Sequence, residues 1–318
     1  MARILVVAPN WIGDALMAQP LLARLREKRP GIQLDLLAPE WVAPVARRMP
    51  EVDEVITAPF RHGALQFGSR WKLGRALKAR GYRQAIVLPN SWKAALVPFF
   101  ADIPLRSGYV GESRYGLLNL LYRGGDKAMR QHYARLAEAP GQEPSQPLPE
   151  PRLRVDASHA AATRARFGIE GRYIVLCPGA EYGPAKRWPY FAELAARLEL
   201  PVVLLGSPND AGAAAGIGGR NLIGKTTLDE AIDIIAGAER VVSNDSGLMH
   251  VAAALGRPLL ALFGSSSPEK TPPQPGSSRV LWLKIECSPC YQRECPLGHF
   301  RCMRELSVER VLAELAAP

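Results

Sequence analysis

The chemistry of this chain is most legible at Val241–Pro258, VVSNDSGLMHVAAALGRP. Arg240–Ser243 reads as the end of a buried strand and Asn244-Asp245-Ser246-Gly247 as a sharp polar turn. Leu248, Ala252 and Leu255 then share one face of a helix. A strand that feeds a helix through such a turn directs backbone N–H groups and the positive end of the helix dipole outward, which suits a phosphate or a ring of sugar hydroxyls. Asp245 adds an acceptor for hydroxyls, and His250 falls within the first helical turn. The plainer alternative is that Asp245 or Ser246 only caps a core helix.

Two further strand-to-helix turns carry polar groups. In PNWIGD at Pro9–Asp14, Gly13 permits close backbone approach by a ligand, and the helix dipole favours ionised Asp14. Here too a cap and a turn residue would be the plainer account. Pro89-Asn90-Ser91 opens onto an apolar helix over Trp92–Phe100, with Lys93 near its start. Sites in parallel α/β sheets lie beyond the carboxyl ends of the strands, so Gly13, Asp14, Asn90, Ser91 and Lys93 share one rim. Cys287, Cys290, Cys295 and Cys302 form C-x2-C-x4-C-x6-C, with His299 between the last two. That density suggests a structural soft-metal site or a redox clip, although the spacing is not that of a common zinc module and four unpaired thiols would also satisfy it. Cys177 reads as a small core residue.

The elements that must position these groups alternate. Strands are expected at Arg3–Ala8, Gln33–Ala38, Glu54–Thr57 and Gln84–Leu88, and helices at Ala15–Lys28, Glu40–Arg48 and Arg70–Arg80. The Pro-rich stretch Ala139–Pro151 is the linker candidate. A second alternating region has strands at Tyr173–Cys177, Pro201–Gly206, a short Asn221–Ile223 and Pro258–Phe263. Thr227-Leu228-Asp229-Glu230 has the spacing of a capping box, Gly264–Pro268 is a small polar turn, and Val308–Leu315 is a terminal amphipathic helix. With 318 residues, 47% of them hydrophobic, the chain has room for two α/β domains, and a ligand cleft between them is expected.

Composition narrows the partner. Residues 1–150 hold 21 Lys/Arg against 13 Asp/Glu (+8), and residues 151–318 hold 19 against 17 (+2). Between Val55 and Ala101 there is no acid, yet the span carries Arg61, Arg70, Lys72, Arg75, Lys78, Arg80, Arg83 and Lys93. A one-sided basic surface implies an anionic partner, whereas a solvated basic helix at Arg70–Arg80 would explain only some of these charges. GxGxxG, P-loop, HExxH and GxSxG patterns are absent. No apolar run approaches a membrane span and no secretory pattern is seen, so a cytoplasmic location is expected.

The chain carries WIGD at Trp11–Asp14, LPNSWKAALVPFF at Leu88–Phe100, CPGAEYGPAKRWP at Cys177–Pro189 and NDSGLMHVAAALGRP at Asn244–Pro258. With these motifs, and YGLLN at Tyr115–Asn119, it resembles the Gram-negative lipopolysaccharide heptosyltransferases of glycosyltransferase family 9, from Arg3 to about Pro273. The resemblance implies a GT-B fold, two Rossmann-like parallel-sheet domains facing a central cleft. Residues 1–150 would bind the acceptor, ending in the linker 139–151. Residues 151–318 would bind the ADP-sugar and carry the Cys-rich segment 287–302 and the C-terminal helix.

The same resemblance implies inverting transfer of L-glycero-D-manno-heptose from ADP-heptose to the first heptose of heptosyl-Kdo2-lipid A. Asp14 would be the general base, Lys186 would meet the leaving diphosphate and Asp245 would hold the donor heptose. The donor side would also include Gly13, Gly179, Ala180, Glu181, Arg187, Thr226, Ser246, Gly247, Leu248 and His250. The acceptor side would comprise Trp11, Arg61, Asn90, Ser91, Lys93 and Arg114. The chemistry requires no cofactor, since the lysine and the turn amides can relieve diphosphate charge without a metal. An anionic acceptor agrees with the acid-free span, as does peripheral contact with the cytoplasmic face of an anionic inner membrane. A sister enzyme with another acceptor is the alternative. A nucleic-acid partner is not expected, because the basic span has few aromatics and no RRM, KH or HTH signature.

Overall fold

Short runs rich in Val, Ile and Leu pair as parallel strands where helices can cover both faces, and this chain builds two such sheets. The computed structural model describes residues 2–61, 63–125, 127–274 and 276–317, and the chain divides into units Met1–Pro151 and Arg152–Pro318. The first unit contains β1 (Arg3–Val7), β2 (Gln33–Pro39), β3 (Glu54–Ala58), β4 (Gln84–Val87), β5 (Leu105–Tyr109) and β6 (Leu120–Tyr122), in the order β3-β2-β1-β4-β5-β6. Val6 of β1 lies beside Leu36 of β2 and Ile86 of β4. All of β4 and four of the five residues of β1 are buried, around a core that includes Leu5, Leu37, Val87 and Val97.

The second unit contains β7 (Ile174–Cys177), β8 (Val202–Leu204), β9 (Arg220–Asn221), β10 (Arg240–Asn244), β11 (Leu259–Phe263) and β12 (Ser278–Trp282). Their order, β12-β11-β10-β7-β8-β9, repeats the winding of the first sheet. Each chain half starts at the middle of its sheet, runs out to one side and returns to the other. The direction reverses between β1 and β4 and again between β7 and β10, and a doubly wound sheet opens a crevice at such a switch point. Leu176, Leu204, Val242 and Leu262 anchor the second core.

Local chemistry explains where the elements depart from their expected bounds. The helix expected over Ala15–Lys28 is two, Ile12–Met17 and Gln19–Lys28, because Pro20 lacks the N–H that would continue the first and is suited to starting the second. Glu40–Arg48 contracts to a helix at Ala43–Arg47, again with proline at its start. Trp92–Phe100 begins as a 3-10 turn at Trp92–Ala95 before the α-helix Leu96–Phe100. The capping box forms as expected: Thr227 N–H donates to Glu230 Oε2 at 2.8 Å and Glu230 N–H to Thr227 Oγ1 at 3.3 Å. The Pro-rich stretch lies along the first unit, where Arg24 donates to the carbonyls of Ser145 (2.9 Å) and Pro147 (2.6 Å). Among the described residues no helix is long and apolar enough to cross a membrane.

Candidate functional site

At the second switch point three strand ends converge on one carboxylate. The Asp245 N–H continues the ladder by donating to Leu262 O (3.1 Å), which fixes its side chain just past β10. Asp245 is 5% exposed, and its Oδ2 accepts Lys186 Nζ at 2.5 Å and the Ser266 hydroxyl. Lys186 comes from the long loop after β7, and Ser266 from the turn after β11. Ser246 is the N-cap of the helix Gly247–Ala254 but makes no side-chain capping bond, and its Oγ lies 3.2 Å from Ser243 Oγ. Capping therefore does not account for the Asp245 carboxylate. An ammonium has three N–H donors, so the bond to Asp245 leaves Lys186 two for anionic oxygens.

The loop 178–188 is held by a frame that the sequence does not advertise. Asn244 Oδ1 accepts Trp188 N–H (3.1 Å) and its Nδ2 donates to Pro178 O (2.8 Å), clamping both ends of the loop to β10. The Tyr182 ring centroid lies 4.8 Å from Lys186 Nζ, a cation–π contact on an aromatic face. Gly179 could not be larger, because a Cβ there would stand 2.1 Å from Asp210 Cγ. Asp210 Oδ2 accepts the Ser207 N–H (2.9 Å) and hydroxyl (2.8 Å), while Arg187 approaches Oδ1 at 3.8 Å. Ala180 is buried and its carbonyl accepts Arg187 Nη2 at 3.3 Å, whereas Glu181 is exposed. Gly247 and Leu248 are half-buried in the first helical turn, His250 is buried, and Thr226 sits half-buried just before the Thr227 cap.

The first switch point has a pocket of about 250 Å³ at the ends of β1 to β4, lined by Asn10, Trp41, Phe60, Arg61, Ser91 and Lys93 among others. Trp41 Nε1 donates to Asn10 O (2.8 Å) and Lys93 Nζ to Gly63 O (2.8 Å). Arg70 is buried and stacks over Phe60 with its guanidinium carbon 4.0 Å from the ring centroid. It donates to Leu65 O (2.6 Å) and Lys93 O (3.2 Å), so it both lines the pocket and braces its wall.

Asp14 is half-buried, the third residue of the helix Ile12–Met17, whose N-cap is the exposed Trp11 with no side-chain capping bond. Both stand beyond the end of β1, outside the lining of the pocket. Burial, and then the nearby Asp14 charge, raise the Tyr133 hydroxyl far above its ordinary value, so that tyrosine stays protonated. Gly13 is buried beside Asp14. Arg114 is 2% exposed and donates to Pro89 O, Ser91 O (3.3 Å), Asn90 Oδ1 (3.3 Å) and Tyr109 O (2.6 Å). It staples the turn after β4 to β5, and Asn90 itself is exposed.

The basic span thus serves several ends. Arg61, Arg70 and Lys93 line the pocket, Arg70 being buried in its wall, Arg80 pairs with Glu54 at 2.6 Å, and Lys72, Arg75 and Lys78 are exposed on their helix. All five cysteines are free, with Cys287, Cys290 and Cys295 half-buried and Cys177 and Cys302 buried. Cys295 Sγ accepts the Phe300 N–H at 3.4 Å. Among the described residues no group of three or more His, Cys, Asp or Glu is placed to hold a metal ion.

Sequence reasoning assigned no role to Ser266, Tyr182, Trp41 or Phe60, and named Arg70 only as one of the cations of the acid-free span. Ser266 left a signal, since its turn follows a strand and the strand-end rule applied to β11 as well, and Tyr182 lies inside the quoted motif at Cys177–Pro189.

Residues 70–301 match the profile described as glycosyltransferase family 9 (heptosyltransferase). The chain is 44% identical over 340 residues to lipopolysaccharide heptosyltransferase 2 of Escherichia coli (strain K12), covering 99% of this chain and 98% of that protein. To lipopolysaccharide heptosyltransferase 1 of Pseudomonas aeruginosa it is 28% identical, over 92% of this chain and 87% of the other. The solved structure of E. coli ADP-heptose lps heptosyltransferase II superposes with a TM-score of 0.88 at 41% identity, covering 98% of this chain and 97% of that one.

Proposed function

Since the chain belongs to glycosyltransferase family 9, the heptosyltransferases, we propose that it moves L-glycero-D-manno-heptose from ADP-heptose to the first heptose of the lipopolysaccharide inner core. That it is a glycosyltransferase follows from the family. The choice of second-heptose addition over first is supported by 44% identity to a heptosyltransferase 2 against 28% to a heptosyltransferase 1. The observation that carries the site is the Lys186–Asp245–Ser266 constellation at the β7, β10 and β11 ends.

In the proposed reaction the second unit binds the donor. Lys186 and the first amides of the helix Gly247–Ala254 face the diphosphate and offset the charge that grows as the anomeric C–O bond breaks. Asp245, steadied by Ser266, accepts from the heptose hydroxyls. The first unit binds the acceptor, with Arg61, Ser91 and Lys93 meeting its anionic groups. Arg114 acts as a positioning residue for Asn90 and Ser91 rather than touching the sugar. Asp14 takes the proton from the attacking hydroxyl as the new glycosidic bond forms and ADP departs, inverting the anomeric centre in one displacement. A carboxylate is a weak base, but the hydroxyl becomes acidic as it bonds to an oxocarbenium-like carbon.

No step draws on a cofactor. The Cys287–Cys302 segment is assigned a structural role, and the enzyme is placed in the cytoplasm at the inner face of the membrane that holds its acceptor. The test is the anomeric configuration of the product made from ADP-heptose and heptosyl-Kdo2-lipid A, read by NMR. Inversion with one ADP released per heptose added is expected, and retention would remove the single-displacement role given to Asp14.

A further inference from the structure

The helix Phe67–Lys78 packs inward through Arg70, Gly74 and Leu77, and it sits tightly on the helix Leu96–Phe100: a Cβ at Gly74 would lie 2.5 Å from Phe100 Cβ. Its outer face is unusual for a solvated helix. Phe67 and Trp71, one turn apart, are 52% and 53% exposed, and Leu65 and Phe99 beside this helix pair are 42% and 40% exposed.

Phe67 and Phe99 are joined through the Phe100 ring. Phe67 meets Phe100 edge-on with centroids 5.3 Å apart, Phe100 meets Phe99 at 5.7 Å, and the Arg106 guanidinium covers the Phe99 ring at 5.4 Å. Lys72, Arg75 and Lys78 stand out from the same helix, which contains no acid. The neighbouring Asp102 is shared between Arg75 (3.3 Å) and Lys78 (2.6 Å). Among the described residues, ten large apolar side chains are exposed in the first unit and four in the second.

We propose that this aromatic and basic face of the first unit, centred on Phe67 and Trp71, docks on an anionic lipid bilayer. Aromatic rings seated at the depth of the headgroups, with lysine and arginine stems reaching back to lipid phosphates, are how a helix lies in an interface rather than across it. The absence of acids from the helix matters as much as the rings, because a carboxylate would oppose the negative surface potential, and the neighbouring Asp102 is held in ion pairs with Arg75 and Lys78. The proposal rests on the reading above that the acceptor is a lipid. Docking the acceptor-binding unit would hold its pocket near the headgroup plane and confine the search for substrate to two dimensions.

The test is flotation of the full chain with vesicles of phosphatidylethanolamine and phosphatidylglycerol, compared with vesicles of phosphatidylcholine alone. The wild-type chain is expected to float with the anionic vesicles and to be released by salt. Phe67→Ser/Trp71→Ser, and Trp71→Ser alone as the milder variant, are expected to bind them roughly ten-fold more weakly at unchanged Tm. Turnover of a deacylated, water-soluble acceptor should be unchanged in both, while KM for acceptor embedded in vesicles rises. Variants that float like wild type would overturn the inference. So would a wild-type chain that turns over the soluble acceptor but ignores vesicles, an outcome that leaves the proposed function intact. A chain that floats yet transfers no heptose to any acceptor would leave lipid docking standing and remove the proposed function. Conversion of a dimer to a monomer by the substitutions, with no vesicle binding, would assign the face to a second copy.

Discussion

Removing the Lys186 ammonium separates two roles that its position combines. Lys186 and Asp245 are 14% and 5% exposed in their side chains and 2.5 Å apart, so Lys186→Ala leaves a buried carboxylate with the Ser266 hydroxyl as its remaining partner among the bonds described here. Breaking a buried pair from one side costs about 3–5 kcal/mol, and the slight exposure of the lysine favours the lower figure. For a unit of this size about 3 kcal/mol lowers Tm by roughly 6–12 °C. Losing the transition-state contact to the diphosphate costs a further 2–4 kcal/mol or so in the chemical step, roughly 30- to 1,000-fold in kcat.

The double variant Lys186→Ala/Asp245→Asn distinguishes the two effects, because no unpaired charge then remains. Thermal unfolding and steady-state transfer of heptose, measured side by side, provide the assay. Tm is expected to recover most of its loss in the double variant while kcat stays low. Recovery of kcat along with Tm would refute the argument, since the lysine would then matter only by neutralising Asp245. A single variant with near-normal kcat would pass the diphosphate contact to Arg187 or to the Asp245 turn.

Asp14→Asn keeps the shape of the helix start and removes the base. It is expected to lower kcat by about 10²–10⁴ with ADP and acceptor affinities retained, as checked by single-turnover kinetics and titration. Charge reversal at Arg61 and Lys93 is expected to raise acceptor KM and leave ADP binding unchanged, and wild-type KM should rise with salt as the Debye length shortens to about 8 Å. Equal damage to ADP affinity would move the acceptor site elsewhere. Thiol reactivity follows the local fields. Burial alone would raise the Cys295 thiol, but the amides of Phe300, Leu297, His299 and Gly298 outweigh it and draw it below the ordinary value, whereas burial pushes Cys177 up to about 12. Because the thiolate is the reactive form, iodoacetamide at pH 7.5, roughly physiological, should label Cys295 early and Cys177 only on unfolding, read by peptide mass spectrometry.

The turn at the second switch point was legible because its signals are local. The polar turn after Arg240–Asn244 is one contiguous stretch between two apolar runs, although burial covers Met249–Ala254 continuously and leaves Leu248 and Leu255 of the expected helix face half-buried. The partners that give it meaning are remote: Ser266 lies 21 residues away and Lys186 59, and only sheet order brings them together. The first unit was half-legible for the same reason. The acid-free span pointed to an anionic partner, but counting charges could not separate Arg61, Arg70 and Lys93, which line a pocket, from Lys72, Arg75 and Lys78, which stand on an exposed helix. Arg114 illustrates the limit. The resemblance gave it as an acceptor contact, while its bonds to the Pro89, Ser91 and Tyr109 carbonyls depend on the register of β4 against β5, a strand the sequence reading did not include. Strands β5, β6 and β12 escaped notice because their residues are mixed and partly exposed, without the continuous apolar run that marks a central parallel strand.

The central claim is that this chain adds heptose to an acceptor that already carries one, and paired acceptors test it most directly. Purified protein is given ADP-heptose with either heptosyl-Kdo2-lipid A or Kdo2-lipid A, and the products are weighed by mass spectrometry. The account predicts a gain of one heptose on the heptosylated acceptor and none on the other. Transfer to Kdo2-lipid A alone, or to neither acceptor while ADP-heptose is still bound, would contradict it.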